Sequence, residues 1–294
     1  MRRLRDSLIL RNKQTDHKRC FKENTLFTVY GLGRRKVFAR RDFPIQEVQK
    51  IFEDTISVSN HQNQKVLKLS PQSCLKVHRI TLGGRNYSLC SKVYLSRGLF
   101  HVLRFSLIPS KARAFWKGWW VLKSRGFRVP EVYLIWEERR LRLLIGCGVV
   151  METVEEGLGL DRYASKNFLP PLEFQGLKRK RELIFQMADT LAKLHAQGIL
   201  HRDLKASNVL VKEYDDSLGI VLLDLDVVRF RGSISRRHIA LNLAQIDASL
   251  PPCVTKWDRL RFLSKYWGKR GNREGLRALA REATRLSILR RRGR

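Results

Sequence analysis

The stretch from 201 to 208 brings three chemically active side chains within a few residues of one another. They are the carboxylate of Asp203, the ammonium of Lys205 and the amide of Asn208. The apolar run that follows, after an acidic turn, ends at a second carboxylate, Asp224. This set could transfer a phosphoryl group to a hydroxyl. Asp203 would accept the hydroxyl proton and Lys205 would reach the γ-phosphate, while Asn208 and Asp224 would hold a divalent metal ion.

The order of residue types in this stretch is H-R-D-L-K-x-x-N, which is the form of the catalytic loop in protein-kinase-like phosphotransferases. His201 opens the loop and is interpreted as a scaffold residue within the catalytic set. Asp224 stands where such enzymes place the metal-binding Asp of D-F-G. The motif predicts an α+β, two-lobed, protein-kinase-like fold with a small β-rich N-lobe and a compact helical C-lobe.

The patterning of the chain predicts where these lobes lie. We expect a basic N-terminal arm over 1–24, the N-lobe over 25–152, and the C-lobe over 153–294 with a basic C-terminal tail. Alternating and apolar runs predict strands at 65–69, 74–82, 87–94, 132–136, 141–145 and 148–154. Helical spacing predicts helices at 110–124, 177–197, 235–250, 255–267 and 272–290.

The N-lobe should supply the nucleotide contacts. In a kinase-like small lobe, the strand before the first long helix carries the lysine that holds the α- and β-phosphates, and Lys92 fits that place. Cys90 faces the same side of the strand, where a bulky side chain would block the adenine. Lys76 is the alternative phosphate contact, although another strand intervenes between it and the helix. Backbone groups from Glu152 to Val154, at the entry to a hinge, could bind the adenine edge.

The composition of the chain points to a polyanionic partner. Lys and Arg number 59 against 27 Asp and Glu, giving a net charge of +32 over 294 residues. Such a surface attracts nucleic acid or an anionic membrane surface, and charge alone does not choose between them. The five cysteines are odd in number and lack C-x-x-C spacing, which predicts a reduced, cytoplasmic protein without a zinc site.

The segment that follows Asp224 indicates which class of acceptor the enzyme would use. Only 70 residues follow Asp224 (294 minus 224), and no A-P-E motif is present. This leaves little room for a peptide-binding activation segment and favours a small-molecule or sugar acceptor. Four arginines follow the second carboxylate: Arg229, Arg231, Arg236 and Arg237. The guanidinium fork matches carboxylates and phosphates, so these arginines are candidates for acceptor binding.

From Val66 to Trp267 the chain resembles the bacterial lipopolysaccharide-core kinases, which phosphorylate Kdo or heptose of the inner core. The resemblance is carried by the segments 83–89, 110–113, 201–208, 223–229 and 236–250. It implies an enzyme that uses ATP and Mg²⁺ at the cytoplasmic face of the inner membrane and acts on a lipid-A-linked core oligosaccharide. Such an acceptor is polyanionic and membrane-anchored, which would account for the charge without nucleic acid.

One position departs from this family. The small-lobe helix of the family often carries a Glu that pairs with the phosphate-binding Lys, and Phe115 stands in its place. Two alternatives to a sugar kinase therefore remain. One is a small atypical protein kinase, and the other is a catalytically silent, polyanion-binding pseudokinase. The choice between Kdo and heptose as acceptor stays open.

Overall fold

The computed structural model describes residues 19–21, 26–43, 64–70, 73–82, 85–94, 108–141, 143–215, 217–268 and 272–293. The chain divides into two compact units, the first extending to Glu155 and the second beginning at Glu156. The lobe boundary expected from the sequence, between 152 and 153, lies three residues earlier.

The first unit is built on a seven-stranded sheet whose neighbouring strands are all antiparallel. Its strands are β1 (Phe27–Leu32), β2 (Arg35–Arg40), β3 (Gln64–Ser70), β4 (Ser73–Leu82), β5 (Arg85–Tyr94), β6 (Val132–Arg140) and β7 (Leu143–Glu152), in the spatial order β1-β2-β6-β7-β5-β4-β3. The β1–β2 hairpin was not predicted, because its strands mix apolar and basic residues. Residues 83–84, which begin the segment 83–89 that carries the family resemblance, lie outside the described residues.

The predicted strands at 141–145 and 148–154 are one continuous strand, β7, so that prediction was wrong. In the structure Gly146 and Gly148 lie in the strand beneath the ring of Trp136 on β6. A Cβ atom would come within 3.3 Å of that ring at Gly146 and within 2.6 Å of it at Gly148. The glycines therefore make room for a tryptophan on the neighbouring strand.

A helix, α1 (Lys111–Ser124), packs on one face of this sheet. Ser110 caps it by accepting a hydrogen bond from the third amide of the helix. Trp116 is fully buried, with its ring 4.5 Å edge-on from Phe27, and its indole N–H donates to the carbonyl of Cys20 at 2.6 Å. Part of the predicted N-terminal arm is thus a packed single turn, whereas residues 1–18 and 22–25 lie outside the described residues.

The second unit is mainly helical. Its helices are α2 (Leu160–Asn167), α3 (Phe174–Ala196), α4 (Arg236–Asp247), α5 (Lys256–Trp267) and α6 (Arg273–Arg292). Its strands are β8 (Leu158–Gly159), β9 (Ile199–His201), β10 (Val209–Tyr214), β11 (Ser217–Leu222) and β12 (Val228–Phe230). The four predicted C-lobe helices agree with α3 to α6 to within a few residues. Among the described helices, none has the length and apolar character needed to cross a bilayer.

Candidate active site

The predicted catalytic loop brings its three chemically active side chains into one cluster. The Nζ atom of Lys205 lies 3.0 Å from Oδ2 of Asp203. The side-chain amide of Asn208 donates to the same Oδ2 at 3.0 Å and to the backbone carbonyl of Asp203 at 2.8 Å. Asp203 and Lys205 are both partly exposed, whereas Asn208 is buried. A partly exposed carboxylate flanked by an ammonium and an amide can receive a proton from a bound hydroxyl.

Asp224 is delivered to the loop by strand pairing. β10 and β11 form an antiparallel pair, and the amide of Leu223 donates to the carbonyl of Asn208 at 3.0 Å. Asp224 follows directly and adopts the left-handed conformation, with φ at 55° and ψ at 50°. Aspartate tolerates this region better than most residues. The two predicted metal ligands thus stand on adjoining segments of backbone.

The donor set at this position fits a magnesium ion. Asn208 uses its amide nitrogen to bond Asp203, so its amide oxygen is turned away from that residue and can serve as a ligand. An amide oxygen and the carboxylate of Asp224 are hard oxygen donors, which Mg²⁺ prefers. In the described part of the chain no three His, Cys, Asp or Glu side chains form a metal cluster. This is compatible with Mg²⁺, because it is commonly bound through one or two protein ligands together with substrate phosphates and water.

His201 is placed as a structural member of the loop. Its side chain is buried, and Nε2 donates to the carbonyl of Leu223 at 2.8 Å. Burial lowers the pKa of His201 below its ordinary value, although the nearby carboxylates of Asp203 and Asp224 oppose the shift. The imidazole in this position ties the start of the catalytic loop to the segment that carries Asp224.

The loop backbone is held by three side chains on or just after α4, which we call the α4 clamp: Asn242, Gln245 and Ser249. They bond four residues of the loop in turn. Asn242 donates to the carbonyl of His201 at 2.8 Å. Gln245 donates to the carbonyl of Arg202 at 2.7 Å and accepts from the amide of Leu204 at 3.3 Å. Ser249 accepts from the amide of Ala206 at 2.7 Å. Sequence reasoning gave these residues no role, although the resemblance covered their segment.

The clamp is itself anchored to two other helices. His195 on α3 is buried between Asn242 and Tyr266, with ring nitrogens 3.2 Å from Oδ1 of Asn242 and 2.8 Å from the hydroxyl of Tyr266. A continuous network of polar side chains on α3, α4 and α5 therefore connects these helices to the backbone of the loop. No local spacing in the sequence reveals this network, because its members are separated by up to 71 residues.

In the first unit, the two candidate phosphate-binding lysines occupy opposite faces of the sheet. Lys76 pairs across strands with Ser91, the residue before Lys92, so the side chains of Lys76 and Lys92 point in opposite directions. Cys90 shares the face of Lys92, and burial raises the pKa of its thiol to about 12. Nζ of Lys92 lies 5.1 Å from the ring centre of Tyr94 on the same face. Lys92 therefore has the small, neutral neighbour that was expected beside it.

The carboxylate that α1 lacks is present on the sheet instead. Phe115 is fully buried, and α1 contains no acidic residue. The cross-strand register places Glu137 of β6 opposite Cys147, and Cys147 opposite Tyr94, so Glu137 shares the face of Lys92. Glu137 is buried and accepts a hydrogen bond from Nε of Arg113 on α1 at 2.9 Å. In this ion pair the cation is on α1 and the carboxylate is on the sheet, whereas the family often has the carboxylate on the helix and the cation on the sheet.

The predicted hinge has some of its backbone groups occupied. The amide of Glu152 donates to the carbonyl of Glu131 at 2.7 Å, and that of Thr153 donates to the carbonyl of Ser88 at 2.9 Å. Neither amide can therefore donate to an adenine without giving up a bond within the sheet. The amide of Val154 is the next donor along the chain.

The four candidate arginines are all exposed, and the side chains of two of them contact other groups of the second unit. Arg229 donates to the carbonyls of Asp226 and Val228 at 3.1 and 2.9 Å. Nε of Arg236 lies 3.5 Å from a carboxylate oxygen of Glu282 on α6. The arginines thus follow the Asp224 segment, and Arg236 and Arg237 stand at the start of α4.

Together, the sheet with its packed helix, the H-R-D-L-K-x-x-N loop and the second carboxylate define a protein-kinase-like phosphotransferase. The model of the lipopolysaccharide kinase (Kdo/WaaP) family matches residues 89–266, which is more than half of the chain. The chain belongs to this family and is a kinase related to lipopolysaccharide. The predicted fold class and family resemblance are both confirmed.

One solved structure agrees with this placement at the level of the fold, and two further matches are weaker or shorter. A solved structure of WaaP in complex with acyl carrier protein is 20% identical, with a TM-score of 0.58, covering 83% of this chain and 96% of that one. The kinase domain of Mycobacterium tuberculosis PknI is 16% identical with a TM-score of 0.39, covering 76% and 98% of the two chains. A serine/threonine-protein kinase of Streptomyces coelicolor, PkaA, is 41% identical over 58 residues, which are 19% of this chain and 11% of that relative.

Proposed function

We propose that this kinase transfers the γ-phosphoryl group of ATP to a sugar hydroxyl, of Kdo or heptose, in the inner core of lipopolysaccharide. The observation that carries the proposal is the cluster of Asp203, Lys205 and Asn208, held on a loop whose backbone is bonded by the α4 clamp. A fully formed loop of this kind speaks against a catalytically silent binding module. Family membership supports lipopolysaccharide as the source of the acceptor.

The proposed reaction assigns one step to each side chain of the loop. Asp203 accepts the proton of the acceptor hydroxyl, whose oxygen forms the new bond to the γ-phosphorus. The bond from that phosphorus to the β,γ-bridging oxygen breaks, and ADP leaves. Lys205 neutralises charge on the γ-phosphoryl oxygens, and its position beside Asp203 keeps both groups on the same reacting centre. His201 would hold the loop through its bond to the carbonyl of Leu223, and its burial lowers the pKa of the ring.

The nucleotide contacts are proposed on the first unit. Lys92 would hold the α- and β-phosphates, and Cys90 would lie beneath the adenine. The amide of Val154 would donate to the adenine edge, with the carbonyl of Glu152 as a candidate acceptor, because the amides of Glu152 and Thr153 are already bonded. Asn208 and Asp224 would hold Mg²⁺, which when bound neutralises charge on the phosphates.

The acceptor site is proposed to include arginines that follow Asp224. A lipid-A-linked core sugar carries carboxylate or phosphate groups, and exposed guanidinium groups can bind these bidentately. Within the described residues Arg231 and Arg237 form no ion pair with a carboxylate, whereas Arg236 lies near Glu282. The acceptor would be reached at the cytoplasmic face of the inner membrane, where such molecules are anchored.

The experiment that tests the function compares acceptors directly. The purified full chain is incubated with Mg²⁺ and ATP labelled at the γ-phosphate, and with either Kdo-lipid A precursor or heptosylated core. Label in one of the two lipid-linked sugars supports the proposal and identifies the acceptor. Label in added protein and in neither sugar would favour an atypical protein kinase. Asp203→Ala is the control for contaminating kinases.

A second partner is favoured by a cavity in the second unit. A cavity of about 350 Å³ lies among α2, α3, α4, α5 and α6, within the usual range of roughly 300–1,000 Å³ for ligand pockets. Its walls are largely apolar, with Leu183, Met187, Leu243 and Ile246 among them, and Arg259 is one of the charged residues at its lining. Since the WaaP structure is a complex with acyl carrier protein, we propose that this chain also binds acyl carrier protein, with the acyl chain in this cavity.

The test of this partner is a pull-down with immobilised acyl carrier protein in two forms, with and without a fatty acyl chain. Met187→Trp would fill the cavity and should abolish preferential binding of the acylated form. The exposed substitution Gln175→Trp on the same helix should leave binding unchanged. Equal binding of both forms by the unmodified chain would remove the acyl chain from the proposal.

A further inference from the structure

The outer surface of α3 and α5 exposes an unusual number of large apolar side chains. In the described part of the chain, twelve large apolar side chains are exposed, and five of these lie on the two helices. They are Phe174, Leu177 and Phe185 on α3, and Trp257 and Leu260 on α5. On each helix their spacing places them on one outward stripe. Trp257 is 70% exposed, whereas the other five tryptophans of the chain are buried or half-buried.

These two stripes form one continuous surface, which we call the α3–α5 face. Lys180 and Asp258 join the helices at 2.7 Å near the start of α5, and Lys265 and Asp189 join them at 3.2 Å further along. Nζ of Lys265 also lies 5.7 Å from the ring centre of Phe185. A shallow groove is lined by Phe185 of α3 together with Leu260 and its neighbours on α5. The apolar side chains of the two helices therefore share one surface.

The same face carries an excess of positive charge. Lys178 and Arg181 lie on the exposed stripe of α3, and Arg261 and Lys265 on that of α5. Asp189 is the exposed carboxylate on these stripes, and it is paired with Lys265. The net charge of the whole chain has the same sign, at +32. A second copy of this chain is a poor partner for the face, because two such surfaces would place like charges together.

We propose that the α3–α5 face docks on an anionic lipid bilayer. Trp257, Leu260 and Phe185 enter the boundary between headgroups and acyl chains, where an exposed tryptophan is favoured. Lys178, Arg181 and Arg261 meet the lipid phosphates, and each cation near an anionic surface adds to the attraction. The inference deepens the proposed function, in that a lipid-linked acceptor lies at such a surface. Its test requires neither ATP nor acceptor, so the two proposals can fail separately.

The test is co-sedimentation of the full chain with vesicles. Vesicles of phosphatidylglycerol and phosphatidylethanolamine are compared with vesicles of phosphatidylcholine alone. We expect binding to the anionic vesicles, and Trp257→Ser with Leu260→Ser should lower the partition coefficient by about tenfold or more. Leu141→Ser with Leu289→Ser removes two leucines outside the face that are 89% and 56% exposed, and should change binding by less than about twofold.

A charge-matched pair and a spectroscopic measurement complete the test. Lys178→Gln with Arg181→Gln should weaken binding by about tenfold at low salt, and by more than Arg290→Gln with Arg292→Gln, which removes the same charge from the end of α6. Brominated lipid should quench less fluorescence in Trp257→Phe than in the unmodified chain. Equal losses in face and control variants would overturn the proposal. So would conversion of an oligomer to a monomer by the face variants in sedimentation velocity.

Discussion

The catalytic loop and the Lys92 strand are held in place by different means. The loop carries its chemistry on a few consecutive residues, yet its backbone is bonded by Asn242, Gln245 and Ser249, which follow it by about 40 residues. Lys92 lies on a strand fixed by its neighbours on both sides, and the residue of α1 expected to pair with it is the buried Phe115. The proposed acid–base group is therefore held on a loop that a distant helix bonds, whereas the proposed phosphate-binding lysine lies on a strand within the sheet, with Tyr94 beside it.

The largest loss of activity is expected when Asp203, at the centre of the catalytic loop, is substituted. Asp203→Ala should lower kcat by at least about 10²-fold, because proton acceptance and positioning are lost together. ATP binding should persist, since the proposed nucleotide contacts lie on the first unit. The measurement is steady-state kcat together with nucleotide binding by calorimetry. Near-normal turnover would remove Asp203 from the role of base.

Substitution of each lysine in turn should distinguish which of Lys92 and Lys76 binds the phosphates of ATP. Lys92→Met should raise the KM for ATP and lower kcat/KM by roughly tenfold or more, because a charge-assisted contact to phosphate is lost. Lys76→Met is the matched control on the opposite face of the sheet, and it should leave the KM for ATP nearly unchanged. The reverse outcome would move the phosphate contact to Lys76. Loss of activity in both with normal nucleotide binding would mean that neither holds the phosphates.

The α4 clamp can be weakened without changing any side chain that is proposed to react or to bind the phosphates. Gln245→Leu removes the bonds to Arg202 and Leu204, and should lower kcat by about tenfold while the KM for ATP stays nearly constant. Hydrogen exchange should quicken at the amide of Leu204. The exposed substitution Gln175→Leu on α3 is the control and should change neither quantity. A fall in melting temperature without a change in kcat would assign the clamp to stability alone.

The sequence predicted the local parts of this site better than the distant ones. The spacing within 201–208 and the run ending at Asp224 were enough to predict the loop, because those residues are neighbours in the chain. The clamp could not be predicted, because Asn242 and Gln245 meet the loop only through the packing of α4. Glu137 was missed for a related reason: its position beside the Lys92 face depends on the order of strands in the sheet. The continuity of β7 was missed because the residue that its glycines accommodate, Trp136, lies on another strand.

A smaller effect is expected at the proposed acceptor arginines. Arg236→Gln with Arg237→Gln should raise the KM for the acceptor several-fold, by roughly the loss of one or two exposed charge contacts, and leave that for ATP unchanged. Part of the effect should disappear at high salt, because exposed charges are screened over roughly 8 Å at physiological ionic strength. Arg290→Gln with Arg292→Gln is the charge-matched control. Equal rises in both pairs would mean that general surface charge recruits the acceptor and that Arg236 and Arg237 form no site.

The smallest expected effect is a change in how stability depends on pH. Burial lowers the pKa of His201 in the folded chain, so below the ordinary histidine pKa of about 6.5 the unfolded chain binds a proton that the folded chain does not. Stability should therefore be complete above that pH and decline as the pH falls through it, since the unfolded state then binds more protons. His201→Gln, which keeps a donor near the position of Nε2 for the carbonyl of Leu223, should show a shallower decline between pH 7.5 and 5.5.

The measurement for His201 is the free energy of unfolding from urea titrations across that pH range, taken as the difference between the variant and the unmodified chain. The other six histidines contribute equally to both proteins, so the difference isolates position 201. Far-ultraviolet circular dichroism and nucleotide binding at pH 7.5 establish that the variant is folded. Parallel pH profiles would show that His201 takes up its proton within the folded loop. In that case burial would not lower the pKa of the His201 ring, and its bond to the carbonyl of Leu223 would tie the loop to the Asp224 segment in either protonation state.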